Sequence, residues 1–192
     1  MAVGLVGVLV ACSGGNQPAN PTKVPTFASS PSSAPPFAGK VPASCDPVAR
    51  FGDVNAAVGH QLTGTANQIV GIPEASIGRT ARLDCYYGIP PNQAITTGVL
   101  SIGISSYGTQ AQAQHRVLET VNEARDTGYV ASTVRVGAMN ADLLAGTSQE
   151  IVLSAGNLTI LVSAANGVLA AGNIGPALIA LATKALNAAQ HA

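Results

Sequence analysis

Few side chains in this sequence stand at the spacings that catalysis demands. The three histidines, His60, His115 and His191, are far apart, and none lies three to five residues from another His or a Cys. The ligand spacing of a metal site is therefore missing, each His reads as a solvated or capping residue, and no metal or other cofactor is expected. Glu119 and Glu123 stand four residues apart and would share one face of a helix, the arrangement that two-carboxylate chemistry needs. Arg116 and Arg125 flank them, so they read as a salt-laced surface instead. Asp84, with Arg82 two residues earlier on one strand face, reads as a structural ion pair. Gly103-Ile104-Ser105-Ser106-Tyr107-Gly108 misses the Gly-x-Ser-x-Gly spacing of a nucleophile elbow by one residue, and no His and acid follow it in order. Gly172-Asn173-Ile174-Gly175 lacks the Lys and third glycine of a phosphate loop and reads as the turn into the last helix. No enzymatic activity is expected.

Tyr86, Tyr107 and Tyr129 are the candidate ligand-binding residues. Tyr86 falls on the opposite face of a strand from Leu83 and Cys85, and Tyr107 and Tyr129 flank the central helix, so the three could form an aromatic patch for a glycan or a partner. The alternative is that they pack at the edges of a core short of aromatics.

The cysteines number three, an odd count that asks for an explanation in an exported protein. Cys12 closes Leu9-Val10-Ala11-Cys12 and is followed by Ser13-Gly14-Gly15, which resembles a bacterial lipobox. The resemblance implies that the Cys12 thiol is acylated, that residues 1–11 are removed as a signal peptide, and that the acyl chains, palmitate among them, anchor the protein at the outer face of the plasma membrane. The apolar run from Met1 to Val10 is about half as long as a membrane-spanning helix, which suits a signal h-region. No basic residue precedes Cys12, where a positive n-region belongs, so the leader is expected to be cut short at its start. With Cys12 acylated, Cys45 and Cys85 remain as a disulfide pair in an oxidising compartment; the alternative is two separate buried thiols. A bridge enclosing about 40 residues would remove roughly 4 kcal/mol of entropy from the unfolded chain.

Behind Cys12 the composition changes. Seven of the twelve prolines fall between residues 13 and 44, among Ser, Thr, Ala and Gly. Such a segment cannot bury enough apolar surface to offset its ordering entropy, so residues 12–44 are expected to be a lipidated, disordered and extended tether with a reach on the order of 90 Å. It is similar to the tethers of mycobacterial lipoproteins, and that likeness implies mannose on its Thr and Ser residues. Residues 45–192 then form a single domain. That domain carries seven basic and nine acidic side chains, a formal charge of −2, and has no electrostatic means of gripping nucleic acid. Charged residues are 9% of the chain, against about 25% in an average domain, while 47% are hydrophobic and Trp is absent, which predicts a core of small aliphatic side chains.

The elements that position these residues follow from periodicity. Asp46-Pro47 predicts a helix start, apolar residues at Val48, Phe51, Val54 and Val58 carry it to 58, and Gly59 caps it. Residues 61–78 hold three glycines and a proline without periodicity and read as loop with at most a short helix. Alternation predicts strands over 80–89 and 97–106, paired as a hairpin with a long loop. Thr109 caps a helix to Asp126 that buries Ala113, Val117, Val121 and Ala124. Strands are predicted over 130–137, 150–154 and 158–164, and a closing helix over 174–190. The fold class is α+β: an antiparallel sheet with helices packed on one face, in two hairpin–helix halves after an N-terminal helix.

Cys45-Asp46-Pro47 through Gly59, then Leu83-Asp84-Cys85-Tyr86-Tyr87, then Val134-Arg135-Val136-Gly137 resemble the actinobacterial two-cysteine envelope lipoproteins of unassigned function. Tyr86 and Tyr87 stand where such proteins usually place Trp or Arg. The resemblance implies a short lipidated tether and a small α+β domain. The expected protein is a non-enzymatic, membrane-anchored envelope lipoprotein that binds an envelope protein, a glycan or a lipid. The alternative is a carrier of a lipid or other apolar ligand in a cavity between sheet and helices, and a third reading is an enzyme whose residues are too scattered to recognise.

Overall fold

The computed structural model describes residues 37–192. The expected signal peptide, the expected lipidation site Cys12 and the expected tether up to residue 36 lie outside the described residues. The end of the segment expected to be a disordered tether is instead seated on the domain: Phe37 and Val41 pack against the core, and the Lys40 N–H donates to the Ala189 carbonyl at 2.8 Å.

Seven strands form one antiparallel sheet, β1 (Thr65–Gly71), β2 (Arg79–Ile89), β3 (Leu100–Tyr107), β4 (Val130–Val136), β5 (Met139–Ala145), β6 (Ser148–Ala155) and β7 (Leu158–Ala165). Their spatial order is β1-β2-β3-β7-β6-β5-β4. The two chain halves meet where β3 pairs with β7, with Ile102 opposite Val162 and Ile104 opposite Ile160. The helices are α1 (Phe51–Val58), α2 (Gln110–Asp126) and α3 (Ile174–Gln190).

The antiparallel α+β architecture expected from the sequence is present, with one difference in the placing of the helices. Alternation along the central strands sends Leu83, Cys85, Ile102, Ile151 and Ile160 to one face, where α1 and α3 cover them through Val54, Val58, Leu178 and Leu181. Fully burying one such Leu or Ile is worth about 2 kcal/mol, so this face holds most of the core energy. Ala182 and Ala185 are fully buried on α3, and their small side chains let the helix lie close to the sheet. The opposite face presents Val152, Leu161 and Leu144, and α2 seats Val117 and Val121 there. The helices therefore occupy both faces, because β6 and β7 carry apolar residues at even and odd positions alike over their middle turns.

Three local features differ from the periodicity reading. The helix expected from residue 47 begins at Phe51, with extended Arg50 as its N-cap. Asp46-Pro47 opens a turn in which the Val48 and Ala49 N–H groups donate to the Cys45 carbonyl. The Ala49 carbonyl, which an earlier helix would have needed, is taken by the Tyr87 hydroxyl at 2.6 Å. Gly59 does cap the helix, at φ 83°, a conformation that glycine adopts without steric cost.

The stretch read as loop contains β1. As an edge strand it is mostly exposed on both sides, so it shows no apolar period. Periodicity likewise does not predict β5. It extends a hairpin from β4 across a two-residue turn in which Val136 faces Met139, with Gly137 at φ 57°. The second half is thus four strands and a helix.

The candidate binding cleft

Cys45 and Cys85 are joined by a disulfide, their Cα atoms 5.7 Å apart. It ties the segment ahead of α1 to β2 on the face that α1 and α3 cover. The layer between the sheet and these two helices, where a carrier would need its cavity, is occupied by the side chains of the larger core cluster.

The opposite face is different. α2 lies over β6 and β7 and leaves the β2–β3 half of that face open, with a cleft of about 350 Å³ beside the helix. Its floor follows from the strand register. Asp84, Gly103 and Leu161 lie side by side across β2, β3 and β7, and Arg82, Ser105 and Thr159 form the next row. Arg116, Val117 and Thr120 of α2 make one wall. Glu74 and Ile77, from the connection between β1 and β2, and Arg79, the first residue of β2, make the other. That wall is braced by reciprocal backbone hydrogen bonds between Glu74 and Arg79, of 2.8 and 3.0 Å, around a single 3-10 turn.

Charge is organised in pairs. Arg79 Nη2 meets Glu74 at 2.6 Å, and Arg82 Nε meets Asp84 at 2.6 Å. Arg116 Nη1 reaches Glu119 at 3.3 Å and Glu123 at 3.7 Å. The Arg82–Asp84 pair and the salt-laced helix face are as the sequence predicts. Asp84 is only 7% exposed and is the single buried charged residue among the described residues. A carboxylate so placed needs its partner, because removing it from water is otherwise costly. Gly103 makes room for it: a Cβ there would lie 2.9 Å from Asp84 Oδ1. Arg79 Nε is buried with no hydrogen-bond partner among the described residues.

The three candidate tyrosines do not form one exposed patch. Tyr107 is 3% exposed, and it closes the end of the cleft floor instead of greeting solvent. Tyr86 and Tyr129 remain partly exposed. They stand toward opposite ends of a polar stretch, since the register runs Tyr86, Ser101, Ser163, Glu150 across four strands. Glu150 Oε1 accepts from the Ser148 hydroxyl at 2.7 Å and the Ser163 hydroxyl at 3.2 Å, and the Tyr129 hydroxyl bonds Ser148 at 2.8 Å and Thr147 at 2.6 Å. Those hydroxyl contacts stabilise the phenolate and hold the Tyr129 pKa below its ordinary value. Tyr86 moves the other way, through burial first and the neighbouring Asp84 charge second.

Among the described residues no three His, Cys, Asp or Glu side chains gather as metal ligands. Nor is any described helix long and apolar enough to cross a membrane. The sequence reading missed the cleft, although a signal for it was present. Ser101, Gly103 and Ser105 alternate with Leu100, Ile102 and Ile104 along β3. A central strand with only small and hydroxyl residues on one face marks a part of that face left uncovered by apolar packing.

No protein-family profile and no curated protein matches this sequence. Among solved structures it is similar to the extracellular domain of PknH from Mycobacterium tuberculosis. The identity is 15% and the TM-score 0.44, over 75% of this chain and 94% of that one.

Proposed function

We propose that this protein is a non-enzymatic binding module of the bacterial cell envelope, held at the outer face of the plasma membrane by acylated Cys12, and that it binds in the cleft beside α2. The observation that carries the reading is the cleft itself, of about 350 Å³, which lies at the lower end of the range of small-molecule sites. It draws charged and hydroxyl groups from four segments of the chain, Glu74 to Asp84, Gly103 to Tyr107, Arg116 to Thr120 and Val152 to Leu161. Its carboxylates Glu74 and Asp84 are engaged by arginines, which suits fixed recognition groups better than a general acid or base. The Cys45–Cys85 bridge supports an oxidising location, where disulfides persist.

Two measurements test this. Cys12→Ala should move the protein from the membrane to the soluble fraction, and unchanged retention would refute the anchor. Native mass spectrometry of the protein taken from its own membrane should show a small-molecule adduct that the cleft-filling variant Thr159→Trp loses. Absence of any adduct, or one indifferent to that variant, counts against binding in the cleft.

A further inference from the structure

We infer that the cleft takes its ligand by an oxyanion, a carboxylate or phosphate group, held between arginines of the sheet side and the arginine of α2. This deepens the proposed binding function and rests on that reading of the cleft.

Three guanidinium groups line the cleft, those of Arg79, Arg82 and Arg116; Glu74 and Asp84 line it with them, and Arg116 is paired with Glu119 and Glu123 of its own helix. Each guanidinium offers five N–H donors and can accept none. Among the described residues each meets its carboxylates through a single nitrogen: Nη2 of Arg79, Nε of Arg82 and Nη1 of Arg116. The Nε of Arg79 is buried and stands without an acceptor among the described residues. The hydroxyls of Ser105 and Thr159 line the same space and can donate to further oxygens, while that of Thr120 donates to the Arg116 carbonyl at 3.0 Å. A planar or tetrahedral oxyanion is the group that several guanidinium edges and hydroxyls satisfy at once, through charge-assisted and often bidentate hydrogen bonds. A neutral polyol would offer the same donors only uncharged, weaker acceptors.

The full-length ¹⁵N-labelled chain, titrated with inorganic phosphate, with succinate and with glucose at matched ionic strength, tests the inference. Saturable shifts of the Gly103, Ser105, Thr120 and Thr159 amide signals are expected with phosphate or with succinate, and which anion acts separates the two sources of the group. Arg116→Gln, at a partly exposed position on the cleft wall, should weaken that binding about tenfold. The paired change Arg82→Gln with Asp84→Asn should weaken it as well while leaving no buried charge unpaired. Saturation by glucose alone would overturn the oxyanion and leave the cleft as a binding site. Absence of saturable shifts with both anions, or anion binding unaltered by both variants, would also overturn the inference.

Discussion

The Tyr87 hydroxyl donates to the Ala49 carbonyl at 2.6 Å, and two residues back along the same strand face Cys85 is bonded to Cys45. The turn before α1 is therefore fastened twice to β2, once covalently and once by a buried hydrogen bond. Phe51 adds a third contact, its ring stacked on Tyr87 at a centroid distance of 6.3 Å.

Reducing the disulfide should lower stability by about 4 kcal/mol if loop entropy dominates. Chemical denaturation with and without reductant measures it, and both thiols should resist alkylation in native, unreduced protein. A loss near zero would mean that the Tyr87 contact alone holds the turn.

Tyr87→Phe leaves the Ala49 carbonyl unpaired and should cost about 1–2 kcal/mol at neutral pH. Burial pushes the Tyr87 pKa well above its ordinary value of 10.0. The folded state then keeps this proton after the unfolded chain has lost its own, so the contribution is fully present below pH 10 and declines as pH rises toward the folded value. Unfolding curves at pH 7 and above pH 10 should show this alkaline loss in the native protein and a smaller one in Tyr87→Phe. Equal losses would refute it.

Arg82→Gln strands the Asp84 carboxylate on the cleft floor and should destabilise by about 2 kcal/mol, a figure reduced from that of a fully buried pair because Arg82 is partly exposed. Adding Asp84→Asn should recover most of the loss. A double-mutant cycle reads the coupling, and simple additivity would show that the pair is unimportant to folding.

Gly146→Ala would place a Cβ within 2.5 Å of the Tyr129 ring. The ring must move, breaking the contacts to Thr147 and Ser148 that depress its pKa. In a spectrophotometric titration Tyr129 should ionise before Tyr86 and Tyr87, and this early step should shift upward in Gly146→Ala. An unchanged titration would dissociate the Tyr129 pKa from its hydroxyl contacts.

Where an element buries one regular face, its residues declare it. The alternation of Leu83, Cys85 and Tyr87, the Thr109 cap of α2 and the apolar stripe of α3 each arise from local geometry, and all three elements lie within a few residues of their expected bounds. β1 is exposed as an edge and so has no such stripe, while β5 is a short hairpin arm whose Ala and Leu residues suit helix or strand equally.

The sequence by itself determined the class of the domain, the faces of its principal strands and the residues available for its disulfide, because side-chain period and composition are properties of neighbours along the chain. Only the tertiary structure decided that α2 crosses to the face opposite α1 and α3, that Tyr107 is buried, and that Arg79, Arg82 and Arg116 border one cleft. Those outcomes depend on the pairing of β3 with β7, a contact between segments more than 50 residues apart that no local pattern encodes.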